Sequence, residues 1–128
     1  MSQALVLAKK SNGQARPNPS VGALIVKDGI IVGRGFHSVY GEGHAEILAL
    51  KEAGPLSKGA DLYVTLEPCN HQGKTPPCTE SIISAGIINV FIAMQDPNPL
   101  VNGSGTKYLK KNGINVSSGI MEEDAKKI

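Results

Sequence analysis

Residues 21 to 36 read VGALIVKDGIIVGRGF, and this stretch decides the class of fold. Two runs rich in Val and Ile, 21–26 and 30–36, flank Asp28-Gly29. That dipeptide accepts the positive φ values of a two-residue hairpin turn, so the stretch predicts two antiparallel strands. Working outward, Pro17-Asn18-Pro19 is a stiff, extended lead-in, because each proline fixes its own φ and restricts the residue before it. Before it, residues 4–10 carry Leu5, Val6 and Ala8 and read as a short helix that stops in Ser11-Asn12-Gly13.

Beyond the hairpin, helix and strand signals alternate. Gly41-Glu42-Gly43 leads into His44, and residues 45–53 read as a helix with Ile47, Leu48 and Leu50 on its apolar side. Gly54-Pro55 ends that helix. Strands are expected over 60–66, 89–94 and 114–117, and helices over 79–85, 105–111 and 121–127. Gly86 and Gly113 are the stops of two of these helices. A hairpin followed by alternating helices and strands makes an α/β domain. The expected architecture is a three-layer α/β/α sandwich around a mixed five-stranded sheet, with the chemistry in the loops that leave the strand ends.

The 128 residues suit one compact domain. With 41% hydrophobic and 19% charged residues the chain is an ordinary globular sequence, and with no Trp its core must come from Val, Ile, Leu and Ala. Lysines gather near the ends (Lys9, Lys10, Lys107, Lys110, Lys111, Lys126, Lys127) and read as solvated helix faces. A net charge of +2 and 4% aromatics offer nucleic acid neither a strong field nor a stacking platform. No stretch is long and apolar enough to span a bilayer, and the N-terminus lacks a signal-peptide pattern. The expected location is cytoplasmic, where Cys69 and Cys78 should be thiols or metal ligands rather than a disulfide.

The residues that carry chemistry are His44-Ala45-Glu46, then Glu67-Pro68-Cys69, then Cys78. One imidazole and two thiolates are good zinc ligands, and three protein ligands leave the fourth position open, as catalytic rather than structural sites do. Cys69 and Cys78 fall near expected helix starts, where the helix dipole favours thiolate. Zinc lowers the pKa of its water towards neutrality, and Glu46 reads as the acid that carries the protons. Residues two apart on an ideal helix diverge by about 200°. His44 and Glu46 can therefore share a pocket only at the mouth of the helix, a placement that the glycines before His44 favour. His71 as a fourth ligand would close the site and leave Glu46 without a task.

His-x-Glu followed by Pro-Cys and a second Cys is the pattern of zinc deaminases, in which the Glu is not a ligand. That pattern has two residues between its cysteines; here there are eight, Asn70-His71-Gln72-Gly73-Lys74-Thr75-Pro76-Pro77. With this long loop, and with Thr65-Leu66-Glu67-Pro68-Cys69, Pro17-Asn18-Pro19, Val21-Gly22, His37 and Asp96-Pro97-Asn98-Pro99, nearly the whole chain resembles the deaminase domain of the bifunctional riboflavin-biosynthesis deaminase–reductase. The resemblance implies a cytidine-deaminase-like fold and hydrolytic loss of the ring amino group of diaminohydroxyphosphoribosylaminopyrimidine, giving the uracil and ammonia. It further implies that His44, Cys69 and Cys78 bind Zn2+, that Glu46 is catalytic, and that Asn18, His37 and Lys74 contact the substrate. Asp96 and Asn98 lie in a loop expected to reach the same site. Asn70 stands where a serine is more usual. Residues 1–128 are expected to be a single deaminase domain without the family's reductase half, either as a stand-alone deaminase or as a domain cut from a longer protein, and a separate reductase for the next step stays open as a partner. Self-association stays open, since edge strands and small size favour it. Two other readings also stay open: a deaminase of another pyrimidine or purine, and a non-catalytic zinc-stabilised module.

Overall fold

The computed structural model describes residues 1–10, 21–36, 45–68, 78–94 and 103–120. Its elements follow in the order α1 (Ser2–Lys10), β1 (Gly22–Lys27), β2 (Ile30–Phe36), α2 (Ala45–Ala53), β3 (Asp61–Leu66), α3 (Cys78–Ala85), β4 (Asn89–Met94), α4 (Ser104–Lys111) and β5 (Asn115–Ser118). The expected terminal helix over 121–127 lies outside the described residues. Asp28 and Gly29 do turn the hairpin, with φ of 52° and 80°, and Val26 pairs with Ile31 across it.

Five strands form one mixed sheet in the order β2-β1-β3-β4-β5. Strand β1 runs antiparallel to both its neighbours, β2 and β3, while β3, β4 and β5 are parallel. Strand alternation sorts the core into two sides. Ala23, Ile25, Leu62, Val64, Val90 and Ile92 face the main cluster, together with Ala45, Ala49 and Ala53 of α2, Ile82 of α3 and Leu109 of α4. On the other side α1 packs on β1 and β3, and Tyr63 stacks on Phe91 with ring centroids 4.7 Å apart. The expected three layers are therefore present, with helices on both faces of a five-stranded mixed sheet.

Helix α2 departs from its expected packing. Its buried stripe is Ala45, Glu46, Ala49 and Ala53, and Ile47, Leu48 and Leu50 are only half-buried. The cause lies in β2. A Cβ on Gly33 would sit 2.2 Å from the Ala49 carbonyl oxygen, and one on Gly35 would sit 2.1 Å from the Ala45 carbonyl oxygen. The helix backbone rests directly on the strand backbone, and only alanines fit between them. Gly54-Pro55 does not simply release the chain either: it forms a short 3-10 turn, Gly54–Ser57, with Pro55 at its start, where no N–H is needed.

Gly35→Ala is expected to cost about 1–3 kcal/mol of stability, because backbone rather than a flexible side chain must move. Urea denaturation reads this directly; a variant as stable as the parent would contradict the close-approach account.

Candidate active site

Strand polarity gathers one end of several elements at a single edge of the sheet. Phe36, the last residue of β2, pairs with Gly22, the first of β1. The Gly22 N–H donates to Thr65 Oγ1 at 3.1 Å. Leu66, the end of β3, pairs with Met94, the end of β4. The segments 37–44, 69–77 and 95–102 each join a strand end on this edge to the start of the next helix, and residues 17–20 lead into β1 here. The described residues that flank these segments, Phe36, Leu66 and Met94 at strand ends and Gly22 at a strand start, lie at this one edge; the expected site residues Asn18, His37, His44, Cys69, Lys74, Asp96 and Asn98 fall within the segments between. These seven residues themselves lie outside the described residues.

Two of the expected site residues are described, and both lie in the first turn of a helix at this edge. Glu46 is in the first turn of α2 and only 3% exposed. Cys78 is the first residue of α3 and a buried thiol, 1% exposed. Helices α2 and α3 pack against each other. A carboxylate and a thiol are the residue types that the unpaired N–H groups of a helix start favour in charged form. Burying a carboxylate costs free energy unless it is partnered, and Glu46 does have a partner.

These observations fit a zinc site. The donor set of one imidazole and two sulfurs suits zinc. Its described member, Cys78, is shielded from solvent at a helix start, and the acid that would serve the site is buried at the start of the neighbouring helix. Among the described residues no three His, Cys, Asp or Glu side chains cluster to hold a metal, since His44 and Cys69 lie outside them.

Sequence reasoning missed the residues that hold this edge together. Thr65, 3% exposed, binds the first residue of β1 through its hydroxyl. Glu67, 5% exposed, reaches the start of α4. The alternation of Thr65 and Glu67 just before Pro68-Cys69 was a usable signal, because polar side chains at a buried strand exit need partners. A separate cavity, about 310 Å³ and lined by Met1, Leu24, Val26, Ile31 and Tyr63 among others, lies at the α1 face by the hairpin turn. It presents no acid, thiol or imidazole.

Comparison with known proteins agrees with this geometry. Residues 1–94 match the family described as the cytidine and deoxycytidylate deaminase zinc-binding region. The chain is 55% identical over all 128 residues to the riboflavin biosynthesis protein RibD of Bacillus amyloliquefaciens. It is 52% identical over 127 residues to the diaminohydroxyphosphoribosylamino-pyrimidine deaminase of Buchnera aphidicola subsp. Schizaphis graminum, covering 99% of this chain and 86% of that protein. The structure of Acinetobacter baumannii RibD (form 2) superposes with a TM-score of 0.97 at 50% identity, over 98% of this chain and 36% of that one. The chain thus spans about a third of the length of the Bacillus relative, 34%. Among the described residues no helix is long and apolar enough to cross a membrane.

Proposed function

Because the chain belongs to the cytidine and deoxycytidylate deaminase zinc-binding family, we propose that it removes the ring amino group of diaminohydroxyphosphoribosylaminopyrimidine by hydrolysis. The products are the corresponding uracil and ammonia, and residues 1–128 act as one deaminase domain. The observation that carries this reading is the pair of helix starts at one sheet edge, where buried Glu46 lies in the first turn of α2 and buried Cys78 opens α3. The substrate assignment draws support from the Buchnera relative, which bears that activity in its name and which this chain nearly spans, and from the eight-residue loop between the cysteines.

His44, Cys69 and Cys78 hold zinc in this reading. When bound, zinc supplies Lewis-acid activation of water at neutral pH. Glu46 moves the protons: its carboxylate accepts one from the water that attacks the amine-bearing ring carbon and delivers it to the ring nitrogen, then takes the second from the newly added hydroxyl and delivers it to the amine, which leaves as ammonia while the C–O bond becomes the carbonyl. Its burial excludes competing solvent protons from that exchange. Asn18 and His37 hold the ring by hydrogen bonds. Lys74 supplies a cation for the anionic or carbonyl oxygens of the substrate, and Asp96 and Asn98 contact it from the segment before α4. In relatives of RibD type the chain is longer; a reductase for the following step is the natural partner of this activity.

Ammonia release by the zinc-loaded protein tests the proposal, with the phosphoribosylated diaminopyrimidine as substrate and cytidine and guanine as controls. Rapid release from the first alone is expected. Release from cytidine or guanine instead would reassign the substrate.

A further inference from the structure

Helix α4 carries no candidate zinc ligand, yet it is bonded to both segments that carry the cysteines. At its start it meets Glu67, two residues before Cys69. Glu67 Oε1 accepts the Gly103 N–H at 2.9 Å, and Oε2 accepts the Thr106 N–H at 3.1 Å. Gly105 lies between these two, and a Cβ there would stand 2.1 Å from the Pro68 carbonyl oxygen. The Glu67-Pro68 step and the first turn of α4 are thus locked by two carboxylate bonds and one backbone contact. On its next turn, the Tyr108 hydroxyl donates to Glu80 Oε1, in the first turn of α3 and two residues after Cys78.

An ordinary helix start is capped by the residue just before it. Here that residue is Gly103, at φ 80°, which has no side chain to do so. The orphan N–H groups are satisfied instead by a carboxylate 36 and 39 residues earlier in the chain. The same bonds fix Glu67 from its side chain, while its own N–H donates to the Met94 carbonyl at 2.9 Å. The Glu67-Pro68 step at the exit of β3 is therefore held from both sides, by β4 and by α4.

We infer that α4 is a brace that ties the exit of β3, two residues before Cys69, to the start of α3 at Cys78, with Glu67 as the positioning residue for the metal site. The inference rests on the deaminase reading, in which both cysteines bind zinc. Outer groups that orient metal ligands typically account for 10- to 100-fold in affinity.

The test is zinc affinity of the full chain by competition with a chromophoric chelator, together with the visible spectrum of the cobalt-substituted protein. Glu67→Ala is expected to weaken zinc binding by about 10- to 100-fold and to shift the cobalt bands. Glu67→Gln keeps one carbonyl acceptor and should recover part of the loss. Tyr108→Phe should weaken binding less, in the same direction. Val90→Ala, a core change in β4 away from the brace, should destabilise the fold and leave both readouts of the folded protein unmoved. If Glu67→Ala does not fold, Glu67→Gln and Tyr108→Phe carry the test. Folded Glu67 and Tyr108 variants that bind zinc as tightly as the parent, with its cobalt spectrum, would overturn the brace and leave the deaminase reading standing. A parent that binds no zinc would overturn both.

Discussion

Glu46→Gln is expected to lower kcat by about 10²- to 10⁴-fold while zinc content and thermal midpoint stay near those of the parent. The expectation follows from position and chemistry together. Glu46 is 3% exposed in the first turn of α2, held there because Gly33 and Gly35 let the helix backbone rest on β2. Glutamine matches the shape and keeps a carbonyl acceptor, so the packing and part of the hydrogen bonding survive. It cannot accept and return a proton at neutral pH, which is the task assigned to the carboxylate. An interaction needed only in the transition state lowers kcat and kcat/KM alike and leaves KM little changed. Steady-state kinetics beside metal analysis read this split. Full activity in the variant would remove Glu46 from the mechanism, and zinc lost along with activity would make it a ligand instead.

Cys78→Ser has the second large effect. Chelator-resistant zinc and turnover should both fall to background, because a serine hydroxyl does not ionise in the range where a thiolate binds metal. The protein should still fold. Cys78 sits at the start of α3, whereas the main core is built from Ile25, Leu62, Val64, Val90 and Ile92 on the sheet and Ile82 and Leu109 on the helices. Metal analysis and circular dichroism separate the two properties. A variant that folds and retains zinc would return Cys78 to the role of a small buried apolar residue, which is the common use of cysteine inside proteins.

Much of this molecule was legible because its signals are local. Asp28-Gly29 between two Val/Ile runs announced the hairpin, and each later strand and α-helix among the described residues was expected within a residue or two of its bounds. Gly86 ends α3 as expected, at φ 85°. The pairing order β2-β1-β3-β4-β5 was not legible, because it depends on contacts between distant segments that leave no periodic trace. The same holds for Gly33 and Gly35, which as sequence are merely glycines inside a strand; their reason appears only when α2 lies on them. Ile47, Leu48 and Leu50 misled for this cause: hydrophobicity alone favours the large residues, while the close helix–strand approach buries the alanines. The family was legible through residue type and order, since His-x-Glu followed by Pro-Cys and a second Cys is the zinc-deaminase pattern and residues 1–94 match that family. The support of the site was not. Glu67 stood in the quoted motif without a role, because its partners, Gly103 and Thr106, are backbone groups that no sequence pattern marks.

The central claim is hydrolytic exchange of a ring amine for an oxygen from water, dependent on Glu46. The most direct test is to run the zinc-loaded protein on the phosphoribosylated diaminopyrimidine in oxygen-18 water and to weigh the pyrimidine product. The account predicts a uracil carrying one oxygen-18, one equivalent of ammonia, and neither from Glu46→Gln. An unchanged diaminopyrimidine, with zinc bound and the fold intact, would contradict it.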